Sequence, residues 1–288
     1  MTIKIAVANQ KGGVGKSTLT RELAAACSLS GYKVLMIDCD PQGNLTNSWI
    51  ENLSEINPVM LPQVLIRQTA QSAQGAQHAQ TRQSSLREAV TATRLLSLDL
   101  VGTDYRLIHL EKEPPSTIYR LRTEIQTIAN DYDLIFLDCP PNFGNALESA
   151  LIAADYVLIP CSSTAMGLEG LSQLIYTVER ISSDINPDVK ILGAVINFYK
   201  ARRALAQEVL EILESELELI KYLFKQVIND YAEIGEAPVA KLPVLVTAPN
   251  SAAARQIKNL TEEFLKRLGL PKKSKTRSKS DTKTAASA

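Results

Sequence analysis

Residues 9–18, Asn9-Gln10-Lys11-Gly12-Gly13-Val14-Gly15-Lys16-Ser17-Thr18, hold the densest chemistry in the chain. Glycines at 12, 13 and 15 let successive backbone N–H groups turn inward around an anion. Lys16 can then reach the β- and γ-phosphates of a nucleotide, and the Ser17 hydroxyl can sit on Mg²⁺. Two further stretches place carboxylates at the ends of apolar runs. Asp38 and Asp40 follow residues 33–37, and Asp138 follows residues 134–137. A carboxylate at the end of an apolar strand beside a phosphate loop can hold Mg²⁺ through water, which is the reading of Asp138. The Asp40-Pro41 pair would also close a strand as a simple turn, and with the loop upstream the catalytic role is the favoured reading of Asp40.

The flanking patterns supply the elements that must position these groups. Residues 3–8 are rich in β-branched residues and short enough for a buried strand, and Leu19, Leu23, Ala26 and Cys27 fall on one face of a helix. Strand, glycine loop and helix N-terminus together make an anion site. Residues 33–37, 95–102, 134–138, 156–160 and 191–197 read as further strands, with residues 223–228 as the last. Pro114, Pro115 and Ser116 open a helix carrying Ile118, Leu121, Ile125 and Ile128 on one face. Asn250 or Ser251 caps a final helix through Leu268, with Ile257, Leu260 and Phe264 inward, and Gly269 and Pro271 stop it. Strands alternating with helices predict an α/β fold, a mainly parallel twisted sheet with helices on both faces, and the strand–glycine loop–helix context makes the expectation one of the P-loop NTPase type.

Composition bounds the rest. Hydrophobic residues at 45% and charged residues at 22% describe an ordinary globular protein, and no apolar run approaches a membrane-spanning length. The four cysteines, Cys27, Cys39, Cys139 and Cys161, show no C-x-x-C spacing and read as buried thiols of a cytoplasmic protein. Residues 68–85 are Gln/Ala/Ser-rich and read as a surface insertion, with His78 solvated. Residues 269–288 form a basic tail. From 271 onward six basic residues stand against Asp281, so the rest of the chain carries 25 basic and 30 acidic residues. A mildly acidic body meets nucleic acid only through local patches.

The Lys11-Gly12-Gly13-Val14-Gly15-Lys16-Ser17 loop has Gln10 where the general phosphate-loop pattern has glycine, and an extra lysine at 11. In this it resembles the deviant Walker A loop of the ParA/MinD family of ATPases. Asp38-Cys39-Asp40-Pro41-Gln42-Gly43-Asn44, the Asp138-Cys139-Pro140-Pro141 switch and the segments at 236–238 and 248–251 extend the resemblance over residues 2–268. It implies that Asp40 positions the attacking water and that Asp38 stands near the metal. It also implies that Asn197 lies against the adenine, although Asn229 occupies a position where the family often carries proline. Residues 164–171 match the stretch before the family's next helix. Arg202, flanked by Lys200 and Arg203, falls where related proteins contact DNA, ahead of an amphipathic helix with an acidic solvated face at 208–218.

What the resemblance implies is an ATPase that uses ATP and Mg²⁺ and dimerises face to face in its ATP state, with Lys11 reaching the other subunit's phosphates. Nonspecific binding to nucleoid DNA would then partition a plasmid or chromosome with a ParB-like adaptor, or position a protein cargo. A MinD-like membrane ATPase needs an amphipathic C-terminal helix, and residues 271–279 offer no apolar face. A nitrogenase-type iron–sulfur reductase needs two suitably placed cysteines, and only Cys139 lies near the switch. A sequence-specific repressor would need an N-terminal DNA-binding domain, and strand-forming residues start the chain.

Overall fold

The computed structural model describes residues 2–51, 59–67, 83–162, 165–199, 221–271 and 273. Residues 68–82 of the Gln-rich insertion, the basic cluster Lys200, Arg202 and Arg203, the acidic run 208–218 and the tail beyond Lys273 lie outside them.

Seven strands make one sheet: β1 (Ile3–Val7), β2 (Val34–Asp38), β3 (Val90–Ala92), β4 (Leu98–Val101), β5 (Leu134–Asp138), β6 (Tyr156–Ser162) and β7 (Lys190–Asn197). Their spatial order is β3-β4-β2-β5-β1-β6-β7, and every neighbour pair is parallel except β3 with β4. Alternate residues of the central strands go to opposite faces, and both faces are covered. Val34, Met36, Leu134 and Phe136 pack with α1 (Lys16–Leu29) and the C-terminal helix, where Phe136 stacks on Phe264 at 5.6 Å. Leu35, Ile37, Ile135 and Leu137 pack with α4 (Arg120–Ile128), α5 (Asn145–Ala153) and α6 (Ala165–Asp184).

The helix expected after Pro114 and Pro115 forms as a 3₁₀ turn, Pro115–Tyr119, continuing into α4, and Ile118, Leu121, Ile125 and Ile128 are all buried. The strand expected over 95–102 is shorter, because Ser97 turns to φ 63° before Leu98. Helix α6 begins at Ala165, so the stretch expected to precede a helix is already part of it. The antiparallel edge strand β3 and the short helices α2 (Asn44–Asn47) and α3 (Leu61–Leu65) have no clear period in so few residues. No helix among the described residues is long and apolar enough to cross a membrane.

Residues 223–228 do not form the expected last strand. They run beside β7 and donate to it, Phe224 N–H to the Ala194 carbonyl and Ile228 N–H to the Ile196 carbonyl (both 2.9 Å), but the pairing amounts to isolated bridges, Ala194 with Leu223 and Tyr199 with Asn229. The reason lies in the helices that follow: α7 (Ala232–Glu236), α8 (Val244–Thr247) and α9 (Ala252–Arg267). Glu263 of α9 accepts the N–H groups of Lys225 (3.0 Å) and Gln226 (3.2 Å). The Arg267 guanidinium donates to the carbonyls of Tyr222 (3.0 Å) and Leu223, pairs with Glu263 at 3.0 Å and lies 3.8 Å over the Phe224 ring. Side chains of α9 thus take the N–H groups of Lys225 and Gln226, between the two contacts with β7, and interrupt the ladder there.

Helix α9 is capped as its sequence predicts, with the Ser251 hydroxyl accepting from Ala254 N–H, and Ile257, Leu260 and Phe264 are buried. Beyond it, Pro271 and Lys273 still lie on the body. The Tyr32 hydroxyl donates to the Pro271 carbonyl, and Lys273 pairs with Asp133 at 2.7 Å while covering the Tyr32 ring. The packed part therefore reaches past the boundary expected at residue 268.

Arg267→Ala should lower stability by about 2–4 kcal/mol, the cost of leaving several carbonyls of a packed segment without their donor. The urea midpoint should fall with an unchanged slope, and Arg267→Lys should recover less than half, since an ammonium cannot fork. A midpoint that stays put would show that the guanidinium does not hold residues 222–226 in place.

Candidate nucleotide site

Strand register builds the site. In the order β2-β5-β1, Asp38 is level with Asp138, and Asp138 is level with Val7 at the entry to the glycine loop. Cys39 N–H donates to the Asp138 carbonyl and Cys139 N–H to the Val7 carbonyl, so the ladder continues into the loops. Three neighbouring strands thus deliver the glycine loop and three carboxylates to one edge of the sheet, their C-terminal edge. Open α/β sheets bind ligands there.

Gly13 and Gly15 adopt φ of 75° and 84°. At Gly15 a Cβ would also run into the Asn197 amide and lie 2.7 Å from the Phe198 ring, so the position is closed to other residues on two counts. Asn9, fully buried, braces the loop's start: its amide donates to the Pro160 carbonyl at 2.8 Å and its oxygen accepts from Lys11 N–H at 2.9 Å. Gln10, the departure from the general pattern, donates to the Thr177 hydroxyl of α6 at 3.1 Å. Lys11 Nζ lies 3.5 Å from the Ser162 hydroxyl of its own chain. Lys16 is buried, and its Nζ donates to the Lys11 carbonyl at 3.1 Å. Burial pushes its pKa down, against the opposing pull of Asp138, Cys139 and Asp40.

The carboxylates divide into two roles. Asp38 is fully buried and spent on its own loop: its oxygens accept from Asp40 N–H (3.2 Å), Thr46 N–H (2.8 Å) and the Thr46 hydroxyl (2.7 Å). It shapes the turn that carries Asp40, which accounts for it better than a direct place on the metal. Desolvation raises its pKa to about 6, with Asp40 adding to the rise and the Thr46 hydrogen bonds opposing it. Asp40 accepts from Gln42 N–H on one oxygen at 3.0 Å, which fixes its carboxylate at the loop's end.

Asp138 is fully buried. One oxygen accepts from the Thr20 hydroxyl at 3.3 Å, Ser17 adds a hydrogen bond to the carboxylate, and Oδ2 has no partner. Desolvation and the nearby Asp38 charge push its pKa well up. An orphaned carboxylate oxygen in a dry site is costly, and a hard divalent cation is the partner that carboxylate and hydroxyl oxygens suit. Ser17 and Asp138 therefore fit Mg²⁺.

Asn197 ends β7 against the loop and not clear of it. Its amide donates to the carbonyls of Val14 (3.1 Å) and Gly15 (3.5 Å), and its oxygen accepts from Phe198 N–H (3.1 Å). The neighbouring cavity, between Thr18, Leu19, Asn197, Ile228 and Ile234, has a volume of about 10 Å³, room for a single water. In this arrangement Asn197 braces the loop, and both edges it would offer a base are engaged.

Thr20, Thr46 and Asn9 are site residues that sequence reasoning did not assign. Thr20 sits one helical turn past Lys16 and Ser17, a spacing that could have flagged it. Thr46 reaches Asp38 through a turn of eight residues with no periodic signal.

A family model described as AAA domain matches residues 2–191. The sporulation initiation inhibitor protein Soj of Bacillus subtilis is 32% identical over 266 residues, covering 90% of this chain and 96% of that protein. The chromosome partitioning protein ParA of Myxococcus xanthus is 30% identical over 265 residues, covering 91% and 88%. Among solved structures, cobyrinic acid a,c-diamide synthase from Mycobacterium smegmatis with a bound ATP analogue and magnesium superposes with a TM-score of 0.69 at 27% identity, covering 84% and 91%. A phosphate loop of this form, the level carboxylates of β2 and β5 and relatives matched over nearly their whole length agree: the chain belongs to the ParA/MinD family of ATPases.

Proposed function

We propose that the protein hydrolyses ATP with Mg²⁺, dimerises in its ATP state and binds DNA without sequence preference. In this reading it partitions or positions a cargo, a plasmid or chromosome, through a ParB-like adaptor in the cytoplasm, on the nucleoid. The observation that carries the catalytic half is the delivery, by three adjacent strands in register, of the glycine loop, the turn bearing Asp40 and the unpartnered Asp138 Oδ2 to one edge of the sheet. The similarity to Soj and ParA supports the cargo half. A protein cargo in place of DNA is the nearest variant.

In this reading the N–H groups of residues 12–18 and the helix α1 N-terminus bind the phosphates, with Lys16 as their cation. Ser17 and Asp138 hold Mg²⁺, which neutralises charge on the phosphate oxygens when bound. Asp40 accepts a hydrogen bond from the attacking water and orients it. Lys16 leaves the Lys11 carbonyl for a phosphate oxygen, which frees Lys11 to turn toward the second subunit. The purine contact proposed for Asn197 requires its amide to leave the Val14 carbonyl.

Asp40→Ala should bind ATP within a few-fold of wild type, accumulate dimer and lose about 10²- to 10³-fold in turnover, the scale of a lost proton-handling group. Hydrolysis at the wild-type rate would remove Asp40 from the chemistry. Lys11→Ala should bind nucleotide yet stay monomeric with ATP by light scattering, and an intact ATP dimer would end its proposed role across the interface.

The DNA contact rests on Lys200, Arg202 and Arg203, with the basic tail assisting. Two patches on one dimer raise the effective concentration of the second contact, which ties DNA affinity to nucleotide state. Arg202→Glu should weaken binding to all sequences alike and flatten the slope of log K against log salt by about 0.9 per lost phosphate contact. If only truncation after Gly269 changes that slope, the tail carries the contact instead.

A further inference from the structure

The loop that follows Asp138, residues 139–144, runs straight into α5. That helix starts without a cap of its own, because Gly144 stands at its N-cap position and offers no side chain. Its first amides are taken from elsewhere in the chain. The Glu111 carboxylate accepts from Asn145 N–H at 2.8 Å and from Ala146 N–H at 3.3 Å. A return bond runs the other way, from the Asn145 amide to the Leu110 carbonyl at 2.9 Å. Gly144 is also the residue that permits this approach, since a Cβ there would lie 2.6 Å from the Glu111 oxygens.

Glu111 and Leu110 belong to a 3₁₀ segment, Tyr105–Lys112, anchored in the core by buried Leu107 and Leu110. At its other end the segment leaves Thr103, whose N–H donates to the Thr46 hydroxyl at 3.0 Å. That same hydroxyl donates to Asp38, which shapes the Asp40 turn. One short segment is therefore tied at one end to the turn bearing Asp40 and at the other to the end of the loop that leaves Asp138. Neither tie passes through the glycine loop.

We infer that residues 103–112 are a strap that sets the Asp138 loop relative to Asp40, and that Glu111 is its positioning residue. This rests on the ATPase reading above for its catalytic consequence, though not for the strap itself. Glu111 touches neither a phosphate-binding residue nor a carboxylate of the site, so it acts only through the placement of residues 139–146. A carboxylate at a helix N-terminus makes charge-assisted bonds and meets the helix dipole, which makes it a stiff tie for an exposed residue. Loosening it leaves the phosphate cradle intact and lets the two loops drift, which affects the reacting geometry more than substrate affinity.

The test uses Glu111→Ala, Glu111→Gln and Asn145→Ala in the full chain, read two ways. Amide hydrogen exchange at residues 139–146 should rise about tenfold or more in Glu111→Ala, with the rest of α5 unchanged. Steady-state ATP hydrolysis should show kcat falling about five- to tenfold with KM within twofold, and Glu111→Gln, which keeps an acceptor oxygen, should recover most of it. Asn145→Ala, which cuts the return bond, should fall between. Unchanged exchange in Glu111→Ala would overturn the strap whatever the activity. Raised exchange with an unchanged kcat, in a wild type that hydrolyses ATP, would overturn the positioning role. A loss of kcat that tracks a lowered melting temperature and that Gln does not restore would reduce Glu111 to a structural residue. A wild type without ATPase activity would count against the ATPase reading, while the exchange result still decides the strap.

Discussion

Three carboxylates held together out of water are the constraint around which this structure is arranged. Asp38 and Asp138 are fully buried and level with each other on adjacent strands, and Asp40 is close behind. Desolvation and mutual repulsion raise the pKa of both buried groups. A carboxyl whose folded pKa stands near 6, above its ordinary 3.8, binds its proton more tightly in the fold than in the unfolded chain. Asp38 therefore contributes less to stability as pH rises from about 4 to about 6, and its ionised form is a net cost at neutral pH. Thr46 and the Asp40 N–H offset part of that cost at Asp38, Lys16 offsets part of the same cost at Asp138, and a cation there would offset more. The site is destabilised on its own and balanced by what it is built to bind.

That arrangement explains why so much of the surrounding backbone is braced. The glycine loop is pinned by Asn9 to β6, by Gln10 to α6 and by Asn197 to the end of β7, three contacts from three directions. Helix α1, which starts at Lys16, is fastened on its far side by a buried ion pair. Arg21 meets Glu22 at 2.7 Å and donates to the Ile234 carbonyl, while Glu22 accepts from Val244 N–H. The C-terminal helices are thereby tied to the phosphate-binding helix through groups that would be costly to leave unpaired. A shift of α1 with its loop must carry α7 and α8 along.

Much of this was legible in the residues. The loop, the apolar runs of β1, β2 and β5 and the carboxylates that end them are local patterns with direct physical meanings, and the structure places all of them on one edge. The cap of α9 and the face of α4 were equally readable, because periodicity and capping are short-range. The failures share a cause. Residues 223–228 have a strand's composition and still touch β7, but α9 supplies Glu263 and Arg267 from about forty residues away and takes the Lys225 and Gln226 N–H groups and the Leu223 carbonyl. Asn197 ends a strand as expected, and only the hold of its amide on the Val14 and Gly15 carbonyls, which lie far off in sequence, could not be read from its neighbours. Thr46 and Glu111 carry no signature at all, since each acts by meeting a distant partner at a turn.

The two edges of the sheet carry opposite kinds of chemistry. At the C-terminal edge, buried carboxylates face a loop of inward N–H groups and two lysines. At the N-terminal edge, just before β2 and β5, Tyr32 and Asp133 hold Pro271 and Lys273, and Asp133 also accepts from Lys33 N–H. The lysine lowers the Asp133 pKa, as an ion pair at a surface does. Lys273 is thereby held at this edge, a full strand length of roughly 16 Å from the carboxylates. The described start of the tail is thus held at the edge of the sheet opposite the glycine loop and its carboxylates.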